Sequence, residues 1–123
     1  MVSAADIQAV RRMTGVSVDE YPDAVLADII ARYPLPDTNG VFPEENEWTP
    51  RYDLNAAAAD VWAEKAAALA AQYDFDADGA AFKRSQAYEQ AMKQARYYRS
   101  RRSLHTVRMR AYPRLKEVED EQS

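Results

Sequence analysis

The clearest chemical pattern in this chain is the run Asp74-Phe-Asp76-Ala-Asp78-Gly79. Carboxylates at alternate positions of a loop converge on a cation, and a glycine in the sixth place allows the sharp bend of a calcium-binding loop between two helices. The rest of such a loop is missing. Its ninth place holds Phe82, which cannot ligate, and its twelfth holds Ser85 where a bidentate Glu belongs. The plainer alternative is an acidic helix–helix turn, with Asp78-Gly79 reversing the chain and Ser85 or a neighbour capping the next helix. The expectation is therefore no metal site, with a calcium-binding helix-loop-helix module as the competing function.

A second pattern is the basic run Arg96-Tyr-Tyr-Arg99-Ser-Arg101-Arg102, which mixes cations with aromatic rings as nucleic-acid surfaces do. Its residues divide between the sides of a helix, and the whole chain is acidic, with a net charge of −4. Arg and Tyr are also enriched at protein interfaces, so protein contact is the favoured reading over a small nucleic-acid-binding protein.

Catalytic sets are hard to assemble from the remainder. The one histidine, His105, lies among basic residues beside Thr106, where a solvated imidazole is expected. Glu44 and Glu45 lie in a loop with nothing to raise a pKa. Three glycines (Gly15, Gly40, Gly79) cannot build a phosphate-cradling loop, and the lack of cysteine removes thiolate zinc sites, disulfides and a thiol nucleophile. The expectation is a non-enzyme without a cofactor.

The elements that would carry these residues follow from composition and periodicity. The chain has 123 residues, enough for one domain. Apolar residues make up 47% of it, but 23 of them are alanine, and Leu, Ile, Val and Phe number only 21. That is thin for a self-sufficient core. No apolar run reaches transmembrane length, and the opening MVSAADIQAV lacks a signal-peptide stretch, so no membrane contact is expected.

Charge is sorted along the chain. Residues 1–82 carry a net −10, residues 83–116 a net +10, and the last seven a net −4. Either a basic helix docks on an acidic one within the monomer, or opposite faces are offered to different neighbours.

Ser3 and Asp6 form a capping signal before Ile7, Val10 and Met13 at helical spacing, and Gly15 ends that helix. Ser17 and Glu20 repeat the signal, Pro22 suits a first turn, and Val25, Leu26, Ile29, Ile30 and Tyr33 make one apolar stripe stopped by Pro34. Residues 34–52 hold four of the six prolines and the turn pair Asn39-Gly40. Val41 and Phe42 suit a short extended piece there, and Trp48 and Tyr52 are expected to pack back on the bundle. So long a connection is either a functional loop or one ordered by a partner.

Asp53 or Asn55 caps the next helix, which runs to about Tyr73. Ten of the sixteen residues from Ala56 to Ala71 are alanine. Leu54, Ala58, Val61, Trp62, Leu69 and Tyr73 share one side. A last helix covers roughly 82–102, with Tyr88, Ala91, Met92, Ala95 and Tyr98 inward and Lys93, Arg96, Arg99 and Arg102 elsewhere. From Ser103 the helical pattern fades. Val107, Met109 and Ala111 alternate with Arg108, Arg110 and Tyr112, as in an extended arm that lies on another surface. The expected fold is all-α: a bundle of three to four helices over 1–102, with the proline-rich loop 34–52 and a C-terminal arm over 103–123.

Three stretches carry a family likeness: Arg11-Arg-Met-Thr-Gly15, Tyr52-Asp-Leu-Asn-Ala-Ala-Ala-Ala-Asp60-Val-Trp-Ala-Glu-Lys65, and Asp78-Gly79 followed by Phe82-Lys-Arg-Ser-Gln86-Ala-Tyr-Glu89. Together they resemble the head–tail connector (adaptor) proteins of long-tailed bacteriophages, which sit below the portal, and the likeness spans about residues 4–102. It implies a structural virion protein at the viral neck, assembled in the host cytoplasm. It implies a homo-oligomeric ring, usually a dodecamer, that continues the DNA channel without specific DNA binding. The partners implied are the portal protein, identical subunits, and the next connector, stopper or tail protein. Known relatives hold the portal through a C-terminal segment. The portal-binding arm would then comprise Val107, Arg108, Met109, Arg110, Tyr112, Arg114 and Leu115. The loop residues Val41, Phe42 and Trp48 would meet a neighbouring subunit or the next ring.

Overall fold

A computed structural model describes residues 1–73 and 79–103, the side chains of 72–84 apart. The protein is a small all-α bundle of four helices: α1 (Ala4–Thr14), α2 (Asp23–Ile30), α3 (Leu54–Tyr73) and α4 (Gly79–Ser100). Among the described residues the only extended pairing is one isolated antiparallel bridge, Pro34 with Tyr52.

The ends of α1 follow from its caps. Ser3 is extended, and its Oγ accepts from the Asp6 N–H at 3.1 Å. Gly15 turns left-handed at φ 68° and donates its N–H to the Arg11 carbonyl. The Thr14 hydroxyl donates to the Val10 carbonyl at 2.8 Å, which satisfies it inside the core.

The second capping signal works differently from the expectation. Ser17 N–H donates to Glu20 Oε1, and Glu20 N–H donates to Ser17 Oγ, a reciprocal box. It closes only one turn, from Ser17 to Tyr21. Helix α2 begins later, at Asp23, with Pro22 just outside it and no side-chain cap. The apolar stripe is also narrower than its spacing implied. Leu26, Ile29, Ile30 and Tyr33 are buried, whereas Val25 is 42% exposed because the body covers only one side of so short a helix.

Pro34 does not stop α2. The helix ends at Ile30, and tighter bonds follow, Arg32 N–H to Ile29 O and Tyr33 N–H to Ile30 O. Beyond them the backbone pairs with the chain entering α3. Asp53 N–H donates to Tyr33 O and Leu35 N–H to Arg51 O, both at 2.8 Å. The residue before a proline disfavours helix, and Pro34 has no N–H to lose, so this pairing suits it.

Asp53 caps α3, its Oδ1 accepting from the Ala56 N–H at 3.1 Å. The core is Val10, Val16, Leu26, Ile29, Ile30, Tyr33, Ala56, Ala57 and Val61, so α1, α2 and only the first turns of α3 share it. The remainder of α3 packs on α4 through small residues, Ala66, Ala91 and Ala95. Alanine allows close approach but buries little area. Ala67, Ala68, Ala70 and Ala71 are exposed. Tyr88, expected inward, is 37% exposed, because only this slender pairing surrounds α4.

Candidate functional site

Two surfaces stand out. The first is the tip of loop 34–52, which backbone chemistry builds into a fixed shape. Asp37 sits at its centre and is 6% exposed. Its Oδ1 accepts from the N–H groups of Asn39 and Val41, and its Oδ2 from that of Thr49, at 2.8–3.0 Å. The Thr49 and Val41 amides lead in holding this carboxyl below its usual range. Gly40 takes φ 81°, the left-handed position that the Asn39-Gly40 pair foretold.

Trp48 fixes the other side of the loop. Its ring N–H donates to the Leu35 carbonyl at 2.8 Å, and its ring meets Tyr52 edge-on, with centroids 5.8 Å apart. Arg51 Nη1 donates to the Pro36 carbonyl at 3.1 Å. Trp48 is thus half-buried in the loop's own framework, and Val41 is half-buried beside Asp37. Of the three loop residues singled out from sequence, Phe42 projects most, at 43% exposure. Val41 and Phe42 form no strand. Glu45 N–H donates to the Phe42 carbonyl, and the Phe42 N–H donates to Glu45 Oε1, so they enter a turn instead. Glu44 and Glu47, just after Phe42 in the loop, are exposed.

The second surface is the outer side of α4 with Arg101 in the turn just past its end. Lys93, Arg96, Tyr97 and Arg101 lie three and four residues apart and are all exposed. The Arg101 guanidinium lies over the Tyr97 ring, 5.4 Å from its centroid. Tyr97 is half exposed and stands edge-on to Tyr98, the centroids 5.0 Å apart. Among the described residues, Arg99 is the one α4 cation in an ion pair, with Asp60 at 3.4 Å.

The inner side of α4 is anchored by polar groups that sequence reasoning missed. Asp60 Oδ2 accepts from the Tyr33 hydroxyl at 2.5 Å and from Arg32 at 3.1 Å, while its Oδ1 takes Arg99. The end of α1 leaves carbonyls without helical partners. The Met13 carbonyl accepts from Trp62 Nε1 and the Tyr98 hydroxyl, both at 3.3 Å, and the Thr14 carbonyl accepts from Lys65 Nζ at 3.1 Å. Lys65 also sits over the Trp62 ring at 4.2 Å. Ser103 N–H donates to Asp53 Oδ2, fastening the end of α4 to the start of α3.

Several residues singled out from the sequence lie outside the described residues: the acidic run from Asp74 to Asp78, His105, and the arm residues Val107, Arg108, Met109, Arg110, Tyr112, Arg114 and Leu115. Among the described residues no cluster of carboxylates or imidazole could hold a metal, and no helix is long and apolar enough to cross a membrane. No family model, curated protein or solved structure matches this chain.

Proposed function

We propose that this protein is a structural adaptor of a bacteriophage neck, a subunit of a ring that joins the portal to the tail and continues the DNA channel. The likeness of residues 4–102 to head–tail connectors carries the reading. Two physical features support it. An alanine-faced helical pair buries little apolar area and gains stability when neighbours cover it. A chain whose sequence sorts acidic and basic residues into separate blocks suits head-to-tail contacts, which close into rings.

In this reading the arm from Val107 to Leu115 holds the portal, with Arg108, Arg110 and Arg114 against acidic portal surface. The tip of loop 34–52 reaches a neighbouring subunit or the next ring. The chain runs no reaction and needs no cofactor.

The test is reconstitution on portal particles viewed by electron microscopy. The full chain should add a ring below the portal, and a chain ending at Ser103 should keep its helical circular dichroism yet fail to attach. Attachment of the shortened chain would remove the arm from this role. Absence of the protein from purified necks would end the adaptor reading.

A further inference from the structure

The two surfaces are complementary in sign and in kind. The loop tip offers one exposed aromatic ring, Phe42, followed two and five residues on by the exposed Glu44 and Glu47. The α4 face offers one exposed aromatic ring, Tyr97, between Lys93, Arg96 and Arg101. Among the described residues none of these three cations has an ion-pair partner in its own chain. Glu89 is the one acid on α4, one turn before Lys93. We propose that the Phe42 tip of one copy docks on the Lys93–Arg96–Tyr97–Arg101 face of a second copy, so that each subunit gives a tip and receives one.

Three physical points carry the pairing. The tip is preorganised: the Asp37 bonds and the Trp48–Leu35 bond set its shape before contact, which lowers the ordering cost of association. The receiving ring is preorganised too, with Tyr97 held between Tyr98 and Arg101. Aromatic and Arg groups at the centre of a patch with charges around it are the residue types that dominate interface energy. Because the two faces are different patches, the contact is heterologous and repeats from subunit to subunit. The assignment rests on the identical-neighbour part of the adaptor reading and deepens it by naming the faces.

Two full-length variants test it by sedimentation velocity. One carries Lys93→Glu, Arg96→Glu and Arg101→Glu. The other carries Glu44→Lys and Glu47→Lys, with Glu45 kept because it closes the turn at Phe42. Circular dichroism verifies that both fold. The wild-type chain at low salt should self-associate, and added salt should weaken this. Each variant alone should associate at least about tenfold more weakly, as for a contact set by complementary charge. An equimolar mixture of the two should recover association beyond pairs, since the unchanged tip of one meets the unchanged face of the other and the reversed tip meets the reversed face. Phe42→Ala should weaken wild-type association at unchanged charge.

A wild-type chain that stays monomeric at low salt overturns the proposal, as does a silent mixture. Variants that associate like wild type also overturn it, while leaving a ring built through other faces intact. If the α4 variant instead loses binding to a single-stranded DNA oligonucleotide with self-association unchanged, the face is a nucleic-acid surface and the proposal fails. The adaptor reading is judged apart from all these, by the presence of the chain in purified necks.

Discussion

The backbone N–H of Ser103 donates to Asp53 Oδ2 at 2.6 Å, across fifty residues of sequence. The same carboxylate caps α3 through its other oxygen, so one side chain holds the start of one long helix and the end of the next. Asp53 is 4% exposed; its bond to Ala56 is buried and its bond to Ser103 partly so. Asp53→Ala should destabilise the protein by about 2 kcal/mol, the sum expected for a lost cap and a lost charged hydrogen bond. Asp53→Asn, which keeps an acceptor oxygen, should fall between. Urea unfolding followed by circular dichroism reads both, and a loss under about 0.5 kcal/mol, the size of an ordinary surface effect, would show the bonds to be dispensable.

Asp37 gives the loop a pH dependence of known sign. Its carboxyl is held below the ordinary value of 3.8 by backbone donors, so the contribution is present above that value and disappears as pH falls through the lower folded one. The loop should therefore keep its shape in acid where ordinary carboxylates are already protonated. Trp48 emission should stay constant down to that point and then shift red. Asp37→Asn should show the red-shifted emission at neutral pH with helical content preserved. Unchanged emission in that variant would separate loop shape from the carboxylate.

Tyr21 behaves in the opposite sense. Burial, together with its hydrogen bond to Glu64 at 2.9 Å, pushes the phenol up to about 12. A raised folded pKa contributes stability below the ordinary value of 10 and loses it as pH climbs toward 12. Alkaline unfolding should steepen over that window, and Tyr21→Phe should flatten it. Absorbance at the phenolate band should lose one late-titrating group in the variant.

The contact between α3 and α4 leaves no room for larger side chains at Ala66 and Ala91, which are 1% and 2% exposed. Ala91→Leu should cost about 1–3 kcal/mol by forcing the helices apart. Ala68→Leu, on the exposed side, should be neutral to within about 0.5 kcal/mol. Thermal unfolding of the pair distinguishes the two, and equal effects would contradict the tight packing.

Local signals were readable wherever the determining groups lie within a few residues. Ser3 with Asp6, Gly15 and the Asn39-Gly40 turn act through their neighbours' backbone, and spacing alone locates them; for the α3 cap spacing left Asp53 and Asn55 open, and the structure uses Asp53. Readings failed where distant chain decides. The end of α2 is set by backbone pairing with residues 51–53, so Pro34 misled. Val25 and Tyr88 fit an apolar periodicity, yet nothing comes to cover them. Asp37 precedes a turn pair in a way typical of Asx turns, but its third partner, Thr49, is twelve residues on and invisible to local pattern. Asp60 gave no signal at all, since its three partners come from the turn after α2 and from α4.

The Met13 carbonyl receives the Trp62 ring N–H from α3 and the Tyr98 hydroxyl from α4. A pull on the last turns of α4 is therefore shared by Tyr98 on α1, Arg99 on Asp60 and Ser103 on Asp53. Hydrogen bonds are short-ranged and yield abruptly, whereas alanine surfaces slide. Under load the molecule should resist stiffly up to a threshold, then shed α4 from the body in a single step.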